Sequence, residues 1–135
     1  PTDAALLDDA ASTYVLVSET APEERREALE TAGAEIVVAG TDRVDPADGL
    51  AVLADRGVDR IMVEGGGELI FSLFEAGLVD ELTVYVGAMV VGGRNAPTLA
   101  DGDGFVDSYP ELSLEGVERV DDGVLLRWTV EGRPD

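Results

Sequence analysis

Apolar positions fall in short unbroken runs over the first two thirds of the chain and in a looser alternation over the last third. Tyr14-Val15-Leu16-Val17-Ser18 is a β-rich run too brief for a helix. Thr20-Ala21-Pro22-Glu23 follows with the spacing of a capping box and a proline in the first turn. The pattern predicts a helix over 22–31 that stops at Gly33. Ile36-Val37-Val38 is wholly apolar, as a buried parallel strand should be. Asp45-Pro46 opens a second helix that presents Leu50, Leu53 and Ala54 on one face and ends near Gly57. Arg60-Ile61-Met62-Val63 reads as a third strand.

A third helix is expected over 68–76, with Leu69, Ile70, Leu73 and Phe74 as its buried stripe and Gly77 as its stop. Residues 80–86 form a strand in this reading, and Ala88-Met89-Val90-Val91 continues apolar into the loop Gly92-Gly93-Arg94-Asn95. Residues 112–120 and 124–130 flank Asp121-Asp122-Gly123 as a β-hairpin flanks its turn. Three β-α units followed by antiparallel strands predict an α/β fold with a mixed, mostly parallel sheet and a C-terminal antiparallel hairpin. The length of 135 residues suits one domain, and 45% hydrophobic content suits one core.

Composition removes whole classes of chemistry. The chain has no histidine and no cysteine, which excludes Ser-His triads, imidazole catalysis, thiolate chemistry and disulfides. Without those ligands no metal site is expected. No long apolar stretch or basic-then-apolar leader is visible, and with the absent cysteines this points to a cytoplasmic protein.

Asp and Glu number 29 against nine basic residues, all arginine, for a net charge of −20. Such a chain repels nucleic acid and anionic membranes, so neither is an expected partner. Its apolar fraction is too high for disorder. Adaptation to molar salt accounts for both, since the Debye length there falls to ~3 Å and surface carboxylates barely feel one another.

The loop Glu64-Gly65-Gly66-Gly67-Glu68 is the local feature richest in chemistry. Without Cβ atoms, Gly65, Gly66 and Gly67 let a ligand approach the backbone closely. Their amides, with those of Glu68 and Leu69, would point out of a helix N-terminus as an anion site. The competing reading is a tight strand-to-helix turn with no ligand. Neither the Rossmann fingerprint nor the Walker loop is present. Glu64 ends the expected third strand, either accepting hydrogen bonds from a ligand or capping amides of the glycine turn. Arg43 and Arg94 stand in loops where each is either a phosphate partner, for Arg43 the 2′-phosphate of NADP, or an ordinary solvated cation. Trp128 and Phe71 read as core or interface residues.

Val63-Glu64-Gly65-Gly66-Gly67-Glu68-Leu69, then Phe74-Glu75-Ala76-Gly77-Leu78-Val79-Asp80-Glu81-Leu82, then Val90-Val91-Gly92-Gly93-Arg94-Asn95-Ala96-Pro97-Thr98-Leu99, resemble the reductase domain of riboflavin biosynthesis. The likeness is strongest to the archaeal 2,5-diamino-6-ribosylamino-4(3H)-pyrimidinone 5′-phosphate reductases. It implies a three-layer fold like that of dihydrofolate reductase, NADPH as hydride donor, a homodimer, and reduction of the ribosyl group of a pyrimidine nucleotide to a ribityl chain. It also implies that Glu64 contacts substrate and that Gly65, Gly66, Gly67, Glu68, Leu69, Ile70, Phe71 and Ser72 wrap the cofactor phosphates.

Glu68 departs from the family, where Thr or Pro is frequent. The chain is expected to be the C-terminal portion of that domain, with a substrate-side strand carrying an Asn/Ser/Asp-Gly motif before it. Another reductase of this fold acting on a pterin, and a non-catalytic nucleotide-binding module, are the alternatives.

Overall fold

A computed structural model of the protein describes residues 11–106 and 109–131. They fall into two compact units, one ending at Met62 and one beginning at Val63. The first unit runs β1 (Thr13–Val17), α1 (Glu23–Thr31), β2 (Ala34–Val38) and α2 (Pro46–Asp55). β1 and β2 pair in parallel from Thr13↔Ala34 to Val17↔Val38. Their core is small: Ala34, Val37, Ala39 and Leu53 are buried, and only Val37 is almost wholly enclosed.

Local signals set the ends of α2. The Asp45 carboxylate accepts from the amides of Ala47 and Asp48, Pro46 occupies the first turn, and Gly57 at φ 86° lies just beyond the end. The buried face differs from the expected one. Gly49 and Leu53 are buried, whereas Ala54 is exposed. The cause is proximity, because a Cβ on Gly49 would lie 2.4 Å from Leu16 Cδ2, so the helix meets β1 through its bare glycine.

The capping box does not form either. Pro22 is the N-cap of α1, with no side-chain cap, which leaves Thr20 too far upstream to cap. Its hydroxyl donates instead to the Thr41 carbonyl at 3.2 Å, tying the loop after β1 to the loop after β2.

The second unit holds α3 (Gly67–Glu75), β3 (Glu81–Val86), β4 (Leu112–Val120) and β5 (Gly123–Val130). The strands form an antiparallel sheet in the order β3-β5-β4. Alternation places Leu82, Trp128 and Leu114 in one cross-strand row and Val84, Leu126 and Val117 in the next, so one sheet face is apolar. A bulge between Leu114 and Gly116 keeps that phase across the hairpin, whose turn carries Asp121 at φ 52°. A shallow depression of about 150 Å³ in this sheet is lined by Glu81, Thr83, Glu115, Arg127, Trp128 and Thr129.

One expected strand is not present as such. Residues 60–63 belong to no ladder among the described residues, and neither does the apolar run 88–91; Met62, Met89, Val90 and Val91 are largely exposed. An apolar run makes a strand only where a neighbouring backbone takes up its N–H and C=O groups, and no described strand does so here. The expected stripe of α3 is also displaced. Phe71 and Leu73 are buried, while Leu69 stands 47% exposed.

Candidate functional site

The glycine loop stands at the start of α3, and its three glycines have different reasons to be there. Gly66 is the helix N-cap at φ 86°, a left-handed backbone that side chains resist, and its carbonyl accepts the first helical bond from Ile70 N at 2.9 Å. Gly67 has no room for a side chain: a Cβ there would stand 2.2 Å from Asp101 Oδ2. Gly65 has neither constraint. Its φ is not positive, and a Cβ there would meet nothing within 4 Å.

The amides of Gly67, Glu68 and Leu69 donate to no group among the described residues, as the first turn of a helix without a side-chain cap must leave them. Together with the open flank of Gly65, they form a bare, donor-rich edge suited to an anion. Glu64 is exposed and has no hydrogen bond or ion pair among the described residues. It therefore does not cap the glycine turn, and it follows an exposed segment rather than a buried strand. Its carboxylate is open to solvent. Glu68 is exposed in the first turn, where the helix dipole favours it.

The remaining residues of the expected cofactor segment are turned to other tasks. The Ser72 hydroxyl donates to the Glu68 carbonyl at 2.9 Å. Phe71 is buried, tilted against Phe105 with ring centroids 4.8 Å apart, and Ile70 is half-buried. Arg43 lies in the other unit, exposed on a loop closed by a bond from Asp45 N to the Ala39 carbonyl at 3.2 Å. Arg94 is exposed beside Gly92 and Gly93, both at positive φ. Neither arginine is in an ion pair among the described residues.

A second segment of the same unit lies against α3. Asp101 N donates to the Gly67 carbonyl at 3.0 Å. Asp101 Oδ1 accepts from Thr98 twice, from the hydroxyl at 2.6 Å and from the amide at 3.0 Å. Those two bonds hold the carboxyl of Asp101 below its ordinary pKa, the hydroxyl contributing most.

The RibD C-terminal domain family model matches residues 1–126. The chain belongs to that family. It is 44% identical over 124 residues to the 2,5-diamino-6-ribosylamino-4(3H)-pyrimidinone 5′-phosphate reductase of Archaeoglobus fulgidus, covering 91% of this chain and 54% of that protein. It is 42% identical over 130 residues to the reductase of the same name from Methanothermobacter thermautotrophicus, covering 94% of this chain and 59% of that protein. The chain thus spans somewhat over half the length of these relatives.

The α/β fold is shared with solved structures. A pyrimidine reductase-like protein of Corynebacterium diphtheriae superposes with a TM-score of 0.73 at 22% identity, over 87% of this chain and 49% of that one. Acinetobacter baumannii RibD superposes with a TM-score of 0.73 at 20% identity, over 96% of this chain and 34% of that one.

Within this RibD C-terminal domain, sequence reading singled out the glycine loop but gave no part to Thr98, Asp101, Gly102 or Phe105. The signal available was Thr98-Leu99-Ala100-Asp101, a hydroxyl three residues before a carboxylate, followed by the alternating glycines of Gly102-Asp103-Gly104. Neither element announces a helix as its partner.

Proposed function

We propose that this chain supplies the cofactor side of a reductase in riboflavin biosynthesis. In this reading NADPH reduces the ribosyl group of 2,5-diamino-6-ribosylamino-4(3H)-pyrimidinone 5′-phosphate to a ribityl group. The observation that carries it is Gly65, a glycine that neither backbone conformation nor packing demands, beside three undonated amides at the N-terminus of α3. A bare backbone edge that the fold does not need is what a pyrophosphate requires. Membership of the RibD C-terminal domain family and likeness to two proteins named as this reductase supply the substrate class.

The amides of Gly65–Leu69 would hold the cofactor phosphates, with 70–72 shaping the helix behind them. When bound, the nicotinamide would supply a hydride to C1′ of the open-chain sugar, and a proton from solvent would complete the reduction. Glu64, solvated and unpaired, accepts hydrogen bonds from the sugar or pyrimidine and orients the substrate. Arg43 is the proposed partner of the 2′-phosphate and the source of preference for NADPH over NADH. The rest of the reading is a single domain over 1–135, a homodimer, and a cytoplasm of high salt. The exposed Leu114 and Val117 on the apolar sheet face support pairing with a second copy.

Calorimetric titration with NADPH and NADH in molar salt tests the proposal. NADPH should bind more tightly, and Arg43→Ala should narrow the difference. Equal or tighter binding of NADH by the wild-type chain contradicts the cofactor assignment. Turnover is assayed on a polypeptide spanning the relatives' full length.

A further inference from the structure

The segment 98–105 follows one face of α3 from its first turn to its middle. Asp101 lies against Gly67, while Gly102 lies so close to Phe71 that a Cβ there would meet the ring at 2.3 Å. Phe105 then stacks on the same ring. Gly67 and Phe71 are four residues apart, one helical turn, so the contacts form a line along the helix. That line covers the Gly67–Phe71 face and leaves Glu68 and Leu69 exposed.

The hydrogen bonding is one-sided. Asp101 Oδ1 is held by both the hydroxyl and the amide of Thr98, and the Asp101 amide bonds the Gly67 carbonyl. Gly66 has no side chain with which to cap the helix, and the Asp101 amide holds the Gly67 peptide from outside it. The Asp101 carboxylate stands against Gly67 in the first turn of α3, beside the edge where an anion is to sit.

We infer that Thr98 and Asp101 form a positioning clamp that holds the Gly65-Gly66-Gly67 backbone in its anion-accepting shape, and that Asp101 is a positioning residue for cofactor binding. This rests on the reading of the glycine loop as the phosphate site. Asp101 acts through its acceptor oxygen and its size, not through its charge, which opposes an incoming phosphate. The requirement for glycine at 67 follows from the same contact, since any Cβ there displaces Asp101.

The test combines NADPH titration with thermal melting in molar salt for the wild type, D101A, D101N, G67A and G67A/D101A. D101A should weaken NADPH about tenfold, the upper range for one lost hydrogen-bonded contact. D101N keeps an acceptor oxygen for Thr98 and should bind within about threefold of wild type, or more tightly, because a like charge is gone. G67A expels Asp101 and should match D101A. The double variant should lose no more than D101A alone, the non-additivity of two changes that break one contact.

Loss of binding that merely tracks the folded fraction, with no rescue by D101N, overturns the clamp. So does D101A binding NADPH as wild type does. Wild-type protein that binds no NADPH instead overturns the reading of the glycine loop itself, and the clamp's role falls with it.

Discussion

The ring of Phe105 lies on that of Phe71 with 4.8 Å between centroids and a tilt of 32°. Phe71 is buried and Phe105 half-buried, so this pair is the apolar anchor that holds the 98–105 segment to α3. Phe105→Ala should destabilise the protein by about 2 kcal/mol, below the ~3–5 kcal/mol of a fully buried Phe→Ala. Urea unfolding in molar salt measures it. A change under about 0.5 kcal/mol, the range of an ordinary surface substitution, would remove Phe105 from the core.

Gly65 separates a ligand requirement from a folding requirement more cleanly than its neighbours. Gly66→Val strains a backbone at φ 86°, and Gly67→Ala collides with Asp101, so both disturb the protein before any ligand arrives. Gly65→Ala places its methyl in open space and should leave the melting temperature unchanged. If a pyrophosphate lies against this backbone, the same methyl should weaken NADPH by about tenfold, or 1.4 kcal/mol. Unchanged affinity in a folded variant shows that the phosphates lie elsewhere.

Glu64→Gln should lower substrate affinity or turnover and spare NADPH binding. The side chain is exposed and has no hydrogen bond or ion pair among the described residues, so stability should not move. Gln keeps the size and gives up the charge and half the acceptor capacity. Losing a charged hydrogen bond to substrate costs ~1.5–3 kcal/mol. Steady-state kinetics with varied pyrimidine nucleotide, on the polypeptide of full relative length, locate the loss. A collapse of NADPH affinity instead would place Glu64 on the cofactor.

Folding should require high salt. Against a net charge of −20, the described residues contain two ion pairs, Arg56–Glu35 at 3.4 Å and Arg127–Glu118 at 3.2 Å, both solvent-accessible. Such pairs contribute ~0–1 kcal/mol each and offset little of the repulsion. Dialysis towards ~10 mM salt, where the Debye length reaches ~30 Å, should abolish the far-ultraviolet helical signal. A circular dichroism spectrum that persists there contradicts adaptation to molar salt.

Asp101 should titrate below 3.8, because the Thr98 hydroxyl and then the Thr98 amide hydrogen-bond its ionised form. A depressed folded pKa means that its stabilising effect is present above the unfolded value and is lost as pH falls through the folded one. Carbon-detected NMR titration of the carboxyl measures this directly. Thr98→Val, which removes the hydroxyl and keeps the amide, should move the midpoint back towards 3.8. A midpoint at or above 3.8 in the wild type means that the clamp is not made in solution.

Features decided by neighbours in the chain were legible from the residues alone. Asp45-Pro46 starts α2 because a carboxylate caps the amides of Ala47 and Asp48, and Asp121-Asp122 turns the hairpin with Asp121 in a left-handed backbone. The glycine loop was visible as a helix start for the same local reason. Tertiary structure alone decided which faces are buried and which glycines are structural. Gly49 is buried in α2 and Ala54 is not, because Leu16 stands against Gly49, and a side chain at 67 would displace Asp101. Residues 60–63 carry every local mark of a strand yet join no described ladder, since a strand exists only through another backbone's hydrogen bonds. Periodicity reports what a segment can bury. What it buries against is a property of residues far away in the chain.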